Sequence, residues 1–136
     1  MSDIEQTLSI IKPDAVERNL ENEIKEIFNE NGFKILREKK LELNKSDAEK
    51  FYKVHQTKPF YNDLCEYLSS GPIVVMVLQK KNAIAENRNL MGATDPKKAE
   101  EETIRKKYGI SIDKNSIHGS DSLDNAKIEI EFFFKN

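Results

Sequence analysis

Ile73-Val-Val-Met-Val-Leu78 is the stretch that decides the fold. Six consecutive apolar residues leave no polar face to turn toward water, and Gly71 closes the helical pattern that precedes them. A continuous apolar run of this length is typical of a strand that is covered on both faces. We therefore expect a central strand, with other strands beside it and helices packed against it.

Three further segments are predicted to be strands. Thr7–Ile11 is short and stops at Pro13, whereas Phe33–Leu43 is longer and contains a charged section at Arg37–Lys40. That section indicates a solvated face or a sheet edge. Apolar and charged residues alternate along Lys127–Lys135, which predicts a last strand with one apolar and one polar face.

Helices are expected between these strands. Apolar spacing and capping signals predict them over Asp14–Asn31, from the capping box Ser46-Asp-Ala-Glu49 onward, from Pro59 to Leu68, over Asn82–Met91 and over Pro96–Lys107. The order β-α-β-α-α-β, then an α-rich insertion and a last β, favours an α+β sandwich of ferredoxin-like type. It would have a four-stranded antiparallel sheet, helices covering it and an insertion before the last strand. A length of 136 residues suits a single domain over 1–136.

The composition restricts the classes of function. Hydrophobic residues make up 38% and charged residues 34%, as in a soluble globular protein. A net charge of −2 provides no basic field for a nucleic acid or an anionic membrane. No apolar run approaches the roughly 20 residues that span a bilayer, and no signal peptide is recognisable. Cys65 is the only cysteine, which fits a cytoplasmic protein and a packing or interface role.

Asn115-Ser-Ile-His118-Gly-Ser-Asp-Ser122 is the stretch that points to chemistry. It contains one of two histidines, and imidazole can accept a group and pass it on near neutral pH. Gly119 removes bulk beside the ring, so that a large anion could approach. The alternative is a turn that happens to contain a histidine, with Ser122 capping a short helix over Leu123–Lys127.

Any phosphate must be held by side chains, because neither a P-loop nor a G-x-G-x-x-G motif is present. Lys12, Arg88 and Arg105 are candidates, although each could equally be a surface cation. No residues show metal-ligand spacing, so magnesium would arrive on a substrate's phosphates. Glu129, on the polar side of the expected last strand, could hold His118 or be an ordinary exposed glutamate.

Aromatic side chains suggest a place for a base. Tyr52 and His55 lie three residues apart and would share a helical face. Phe60 follows a proline at a helix start, where its ring could stack on a nucleobase or pack in the core.

Together these motifs resemble the nucleoside diphosphate kinase family over essentially the whole chain. The matching segments are Thr7-Leu-Ser-Ile-Ile-Lys-Pro-Asp-Ala-Val16, Phe51-Tyr-x-x-His55 with Pro59-Phe60, Ser70-Gly-Pro72, Asn87-Arg88, Leu90-Met-Gly-Ala-Thr-Asp-Pro96, Thr103-Ile-Arg105 and Asn115–Ser122.

The resemblance implies a ping-pong reaction with little base selectivity. The γ-phosphoryl group of a nucleoside triphosphate would pass to His118 and then to a nucleoside diphosphate. The catalytic residues it implies are His118, Glu129, Lys12 and Ser120. The substrate-binding residues it implies are Lys12, Tyr52, His55, Phe60, Leu64, Arg88, Thr94, Arg105 and Asn115, with Phe60 and Leu64 at the base. It also implies a ferredoxin-like core, magnesium carried by the nucleotide, and a homo-oligomer that is a hexamer or a tetramer.

The chain departs from this pattern where the family usually has glycine. Glu17-Arg-Asn-Leu-Glu-Asn22 contains none, and Glu100-Glu-Glu102 stands where a glycine commonly precedes Thr103. Glycine permits backbone angles that glutamate resists. The loop over 96–114 is therefore expected to differ in path or stability, which bears on the oligomeric state.

Two other classes of function remain open. A nucleic-acid or regulatory module could use the same sandwich, although the RNA-recognition signature is absent. A relative without activity could act as a scaffold, although six residues retained together argue against it: Lys12, Arg88, Arg105, Asn115, His118 and Glu129.

Overall fold

The protein is an α+β sandwich of ferredoxin-like type, seen in a computed structural model that describes residues 4–53, 56–111 and 114–134. Four strands form an antiparallel sheet in the order β2-β3-β1-β4. The strands are β1 Ile4–Ile11, β2 Lys34–Leu41, β3 Ile73–Lys81 and β4 Ile117–Gly119. The helices are α1 Pro13–Glu17, α2 Glu21–Glu30, α3 Lys45–Phe51, α4 Tyr61–Leu68, α5 Ala83–Met91, α6 Ile104–Tyr108 and α7 Leu123–Phe133, with a 3₁₀ turn at Pro96–Lys98.

The apolar run confirms its predicted role as a central strand. All six residues of Ile73–Leu78 are buried, and β3 pairs with β2 on one side and β1 on the other. Alternate residues enter two cores: Val74 and Met76 face α2 and α5, whereas Ile73 and Val75 face α3, α4 and α7. Burying each such side chain contributes about 1.5–3 kcal/mol, so this strand joins both layers.

The charged section of the second strand lies at a sheet edge, as expected. β2 pairs only with β3 among the described strands, and its residues 37–40 are exposed. Lys25 of α2 reaches Glu38 on this strand at 2.6 Å. Cys65, by contrast, is a residue of α4 and is fully buried in the core, which confirms a packing role.

The last strand was predicted in the wrong place. The described part of Lys127–Lys135 is not a strand, because residues 127–133 belong to α7. The fourth strand is instead the short segment Ile117–Gly119. Ser122 caps the helix, because its hydroxyl accepts a hydrogen bond from the Asn125 N–H at 3.1 Å. The short helix weighed as an alternative is thus present and runs on to Phe133. Its inward positions are spaced by four and three: Ala126, Ile130 and Phe133.

Two predicted helices begin or continue differently. The segment Asp14–Asn31 is split into α1 and α2, because Asn19 adopts a φ of 60° that no helix accommodates. The predicted N-cap at Ser46 is wrong. Asn44 caps α3 two residues earlier, because its side chain accepts a hydrogen bond from the Asp47 N–H at 2.8 Å.

The insertion is less helical than the sequence suggested. Of Pro96–Lys107, only the turn at Pro96–Lys98 and the start of α6 are helical. Glu100–Glu102 has no helical conformation, and Thr103 caps α6 by accepting a hydrogen bond from the Lys106 N–H at 3.3 Å. The insertion therefore returns the chain to β4, beside the end of α5.

Candidate functional site

His118 lies on β4, at the edge of the sheet. It pairs directly with Ile10 of β1, so its side chain points toward the face that carries α3 and α7. The side chain is 21% exposed, so it is reachable from solvent while it is held by the surrounding protein. Its neighbours Ile117 and Gly119 point to the opposite face, toward α5.

A carboxylate from α7 holds this histidine. Glu129 Oε1 lies 3.0 Å from His118 Nε2, and the Ser120 hydroxyl donates to the same oxygen at 2.8 Å. Ser120 is fully buried, and its Oγ accepts a hydrogen bond from the Leu8 N–H at 3.2 Å. A carboxylate only accepts, so this contact puts the imidazole proton on Nε2 and leaves a lone pair on Nδ1.

The predicted contact between Glu129 and the histidine is present, but the secondary structure predicted for Glu129 is wrong. A strand was expected, but the segment is helix α7, which begins after its cap at Ser122 and brings the Glu129 carboxylate to His118. The spacing of eleven residues is compatible with this return.

Phe51 is a neighbour of the histidine that the sequence reasoning did not assign to the site. Its ring packs edge-on against the His118 ring, with centroids 5.3 Å apart and an interplanar angle of 77°. The same ring contacts Phe133 of α7 at 5.3 Å, so it fixes the imidazole between two helices. The available signal was its position directly before Tyr52 in the motif of α3.

Lys12 is turned into the protein at the end of β1. The strand ends at Ile11, and the lysine side chain is only 6% exposed. Its Nζ donates to Asn115 Oδ1 at 2.9 Å, and Asn115 Nδ2 donates to the Thr94 carbonyl at 3.1 Å. The amide therefore connects the lysine to the insertion, and three predicted site residues meet.

Two arginines, Arg88 and Arg105, supply positive charge close to the strand that carries His118. Arg105 donates from Nη1 to the Gly92 carbonyl at 3.0 Å and from Nη2 to the Ile117 carbonyl at 2.8 Å. Burial, with a smaller contribution from Arg88, lowers the pKa of Arg105 to about 10. A guanidinium with this pKa stays protonated near neutral pH, so Arg105 keeps its positive charge. Both arginines and Thr94 line a cavity of about 610 Å³.

Phe60 and Leu64, which were expected at the base, lie at the start and in the middle of α4. Tyr52, which was expected near ribose and phosphates, follows the last residue of α3. The Phe60 side chain is 43% exposed, whereas Leu64 is half-buried against the core. Tyr52 is buried, and that burial raises the pKa of its hydroxyl, with smaller contributions from Cys65 and Glu129. The tyrosine therefore stays a neutral donor. His55 lies outside the described residues.

The side chains gathered near His118 supply mainly cationic and amide groups. Within the described ranges, no group of three or more His, Cys, Asp or Glu residues could hold a metal ion. The one carboxylate beside the histidine is already engaged by two donors. No helix in the described part of the chain is both long and apolar enough to cross a bilayer.

Comparison with known proteins shows the family of the chain. The model of the family described as nucleoside diphosphate kinase matches residues 5–136. A nucleoside diphosphate kinase of Wolinella succinogenes is 57% identical over 131 residues, which cover 96% of each chain. One from Campylobacter fetus subsp. fetus is 56% identical with the same coverage.

Solved structures give the same picture. The nucleoside diphosphate kinase of Aquifex aeolicus has a TM-score of 0.96 at 39% identity, covering 98% of this chain and 97% of that one. That of Encephalitozoon cuniculi has a TM-score of 0.93 at 36% identity, covering 97% of this chain and 90% of that one. Fold, site and relatives define a phosphotransferase with a ferredoxin-like sandwich. The chain belongs to the nucleoside diphosphate kinase family.

Proposed function

We propose that the protein transfers the γ-phosphoryl group of a nucleoside triphosphate to a nucleoside diphosphate by a ping-pong mechanism through phospho-His118. The contact between His118 Nε2 and Glu129 Oε1 at 3.0 Å is the observation that carries the proposal. It fixes the tautomer, orients the ring and leaves Nδ1 with the lone pair that a nucleophile needs.

The chemistry divides into two displacements. In the first, the Nδ1 lone pair forms a bond to the γ-phosphorus while the bond to the β–γ bridging oxygen breaks. The diphosphate leaves with that electron pair, and Glu129 stabilises the positive charge on the imidazole. In the second, a terminal oxygen of another nucleoside diphosphate attacks the phosphorus, the N–P bond breaks, and the ring regains its lone pair.

The cations act on the oxygen charge. Lys12, Arg88 and Arg105 neutralise phosphate oxygens, because phosphoryl transfer depends on positioning and charge stabilisation more than on covalent help from the protein. Asn115 holds the Lys12 ammonium in place and is anchored on Thr94. Magnesium enters as part of the substrate, held by phosphate oxygens and water. Tyr52 and His55 complete the contacts to ribose and phosphates.

Base selectivity is low in this proposal. Phe60 presents an exposed ring and Leu64 an apolar side chain, and neither can read the edge of a base by hydrogen bonding. Stacking on an aromatic face tolerates purines and pyrimidines alike.

We also propose that the protein acts in the cytoplasm, where its single thiol would stay reduced.

Steady-state kinetics tests this function. The initial rate of transfer from ATP to guanosine, cytidine, uridine and thymidine diphosphates is measured at several fixed concentrations of each substrate. Parallel double-reciprocal lines and similar kcat/KM values for the four acceptors are expected. Intersecting lines would indicate direct transfer in a ternary complex and would contradict the phosphohistidine route. His118→Ala serves as the control and is expected to show no transfer.

A further inference from the structure

Ser116 occupies a strained backbone position between two site residues. It follows Asn115, precedes the histidine strand, and has a φ of 75° although it is not a glycine. L-residues enter this left-handed region only at an energetic cost, so surrounding structure must hold them there. Ser116 is fully buried and belongs to the motif that contains His118.

Hydrogen bonds from two directions hold this residue. Its hydroxyl donates to Asp14 Oδ2 at 2.9 Å and lies 3.3 Å from Arg18 Nη2. Its carbonyl accepts a hydrogen bond from the Lys12 N–H at 2.9 Å. The serine is thus tied to the end of β1 and to α1, more than 90 residues earlier in the chain.

Asp14 is itself fixed in place. The Tyr67 hydroxyl donates to its Oδ1 and accepts from its N–H at 2.9 Å, while Arg18 Nη2 lies 3.2 Å from Oδ2. Arg18 also donates to the Tyr108 carbonyl of α6. Asp14 is 5% exposed, so the serine receives a charged acceptor that cannot move without disturbing three elements.

We propose that the network of Asp14, Arg18, Tyr67 and Ser116 is a positioning device for phosphoryl transfer. By holding Ser116 left-handed it keeps Asn115 Oδ1 on the Lys12 ammonium and keeps His118 opposite Ile10. None of the four needs to touch substrate, since they act through Asn115 and His118. This inference rests on the proposed function.

Substitutions at position 116 separate positioning from general stabilisation. Ser116→Ala removes the hydroxyl and keeps the strained backbone, whereas Ser116→Gly removes the same hydroxyl but adopts a positive φ without cost. A hydrogen bond to a charged group is worth enough to change a rate about tenfold or more. We expect kcat to fall by at least about tenfold in Ser116→Ala and to be largely restored in Ser116→Gly.

A double-mutant cycle gives a second test that tolerates loss of stability. Tyr67→Phe removes only one hydroxyl and is expected to lower kcat when Ser116 is present. In the Ser116→Gly background the same change is expected to have no effect on kcat, because glycine does not need the network. If the two effects are instead independent, or if Ser116→Ala has the wild-type kcat, the proposal is wrong.

An NMR readout distinguishes this failure from failure of the proposed function. The side-chain amide resonances of Asn115 are expected to shift in Ser116→Ala and to return in Ser116→Gly, whether or not the protein transfers phosphate. Unchanged resonances in Ser116→Ala would overturn the positioning role. If the wild-type protein transfers no phosphoryl group but the Asn115 resonances still shift in Ser116→Ala, only the proposed reaction is overturned.

Discussion

Glu102 adopts a left-handed conformation, with a φ of 74°, directly before the cap of α6. The family resemblance implies a glycine just before Thr103, where this chain has Glu102. In the other loop that lacks the expected glycine, Asn19 has a similar φ of 60°. Asparagine tolerates this region far better than glutamate. Both loops therefore contain a non-glycine residue in a conformation that glycine adopts freely, and the insertion carries more strain than a glycine would impose.

Glu102→Gly is expected to raise the free energy of unfolding by about 0.5–1 kcal/mol. Relief of the left-handed strain exceeds the entropy that glycine adds to the unfolded chain. The lost ion pair with Lys107, at 3.9 Å and with Glu102 89% exposed, contributes little. Urea denaturation measures the change. Glu101→Gly removes the same charge without the strain and should destabilise; equal effects of the two variants would refute the argument.

Glu129→Gln is expected to slow the phosphorylation of His118 by about tenfold to a hundredfold. Glutamine still offers an oxygen to Nε2, but it cannot offset the positive charge that develops on the ring. Rapid-quench measurement of the first half-reaction reports the rate. The exposed Glu131→Gln on the same helix is the control, and a rate for Glu129→Gln within twofold of it would argue against the role of the carboxylate.

At the scale of elements, the approach of α5 to β4 depends on Gly119. A Cβ there would lie 2.3 Å from Asn87 Nδ2 and 2.8 Å from Met91 Cε. The Asn87 side chain is fully buried and has no hydrogen-bond partner within the described chain. The strand that carries His118 is thus packed directly against the helix that carries Arg88.

Gly119→Ala is expected to lower the free energy of unfolding by about 1–3 kcal/mol through overpacking. Adding Asn87→Ala should recover part of the loss, because it removes the closest clashing atom. Urea denaturation of the single and double variants measures both effects. Gly71→Ala is the matched control, since its Cβ would meet Pro13 at an ordinary 3.8 Å. No recovery in the double variant would contradict the packing described.

The contact of Tyr67 in α4 with Asp14 in α1 predicts a pH effect on stability. Burial, and next the hydrogen bond and charge of Asp14, raise the pKa of Tyr67 above its ordinary value of 10.0. Below pH 10 both the folded and the unfolded states keep this proton. Above it the unfolded state loses the proton first, so stability falls as pH rises.

Tyr67→Phe is therefore expected to show a shallower loss of stability between about pH 9 and about pH 11 than the wild type. The other tyrosines titrate alike in both proteins, so the difference isolates Tyr67. Unfolding by urea at a series of pH values gives the two curves. Curves that run parallel would mean that Tyr67 ionises alike in both states.

Sequence patterns predicted elements well where one signal acted alone. The run at Ile73–Leu78 has only one solution, whereas α7 carries two patterns at once. Ile128, Ile130 and Phe132 alternate as in a strand, while Ala126, Ile130 and Phe133 repeat as in a helix; the cap at Ser122 decides between them.

The site was predictable as a set of chemical types but not as a set of contacts. His118, Glu129 and Lys12 were candidates because of their chemical types, and the family resemblance gave them their expected roles. Phe51 and Asn87 were not, because their roles arise from helices packed against β4. The hydrogen bond between Ser116 and Asp14 joins residues 102 apart, and no local pattern encodes it.

At the scale of the whole molecule, we expect a homo-oligomer, either a tetramer or a hexamer. Large apolar side chains stand exposed at scattered surface positions, and β2 has a free edge within the described sheet. Among the described residues, the large apolar side chains that are exposed, apart from Phe60, are Ile4, Leu36, Ile110, Leu123 and Ile128. Sedimentation velocity at micromolar protein measures the assembly. A concentration-independent monomer would contradict this expectation.

A single domain over 1–136 also stays a prediction, which one cooperative unfolding transition would support.

The most direct test of the account is the mass of the intact protein after incubation with ATP and magnesium without an acceptor. One added phosphoryl group is expected, labile in acid, mapped to His118 and removed when a nucleoside diphosphate is supplied. His118→Ala is expected to stay unmodified. An unmodified wild-type protein, or a group that survives acid or appears on the His118→Ala variant, would contradict transfer through this imidazole.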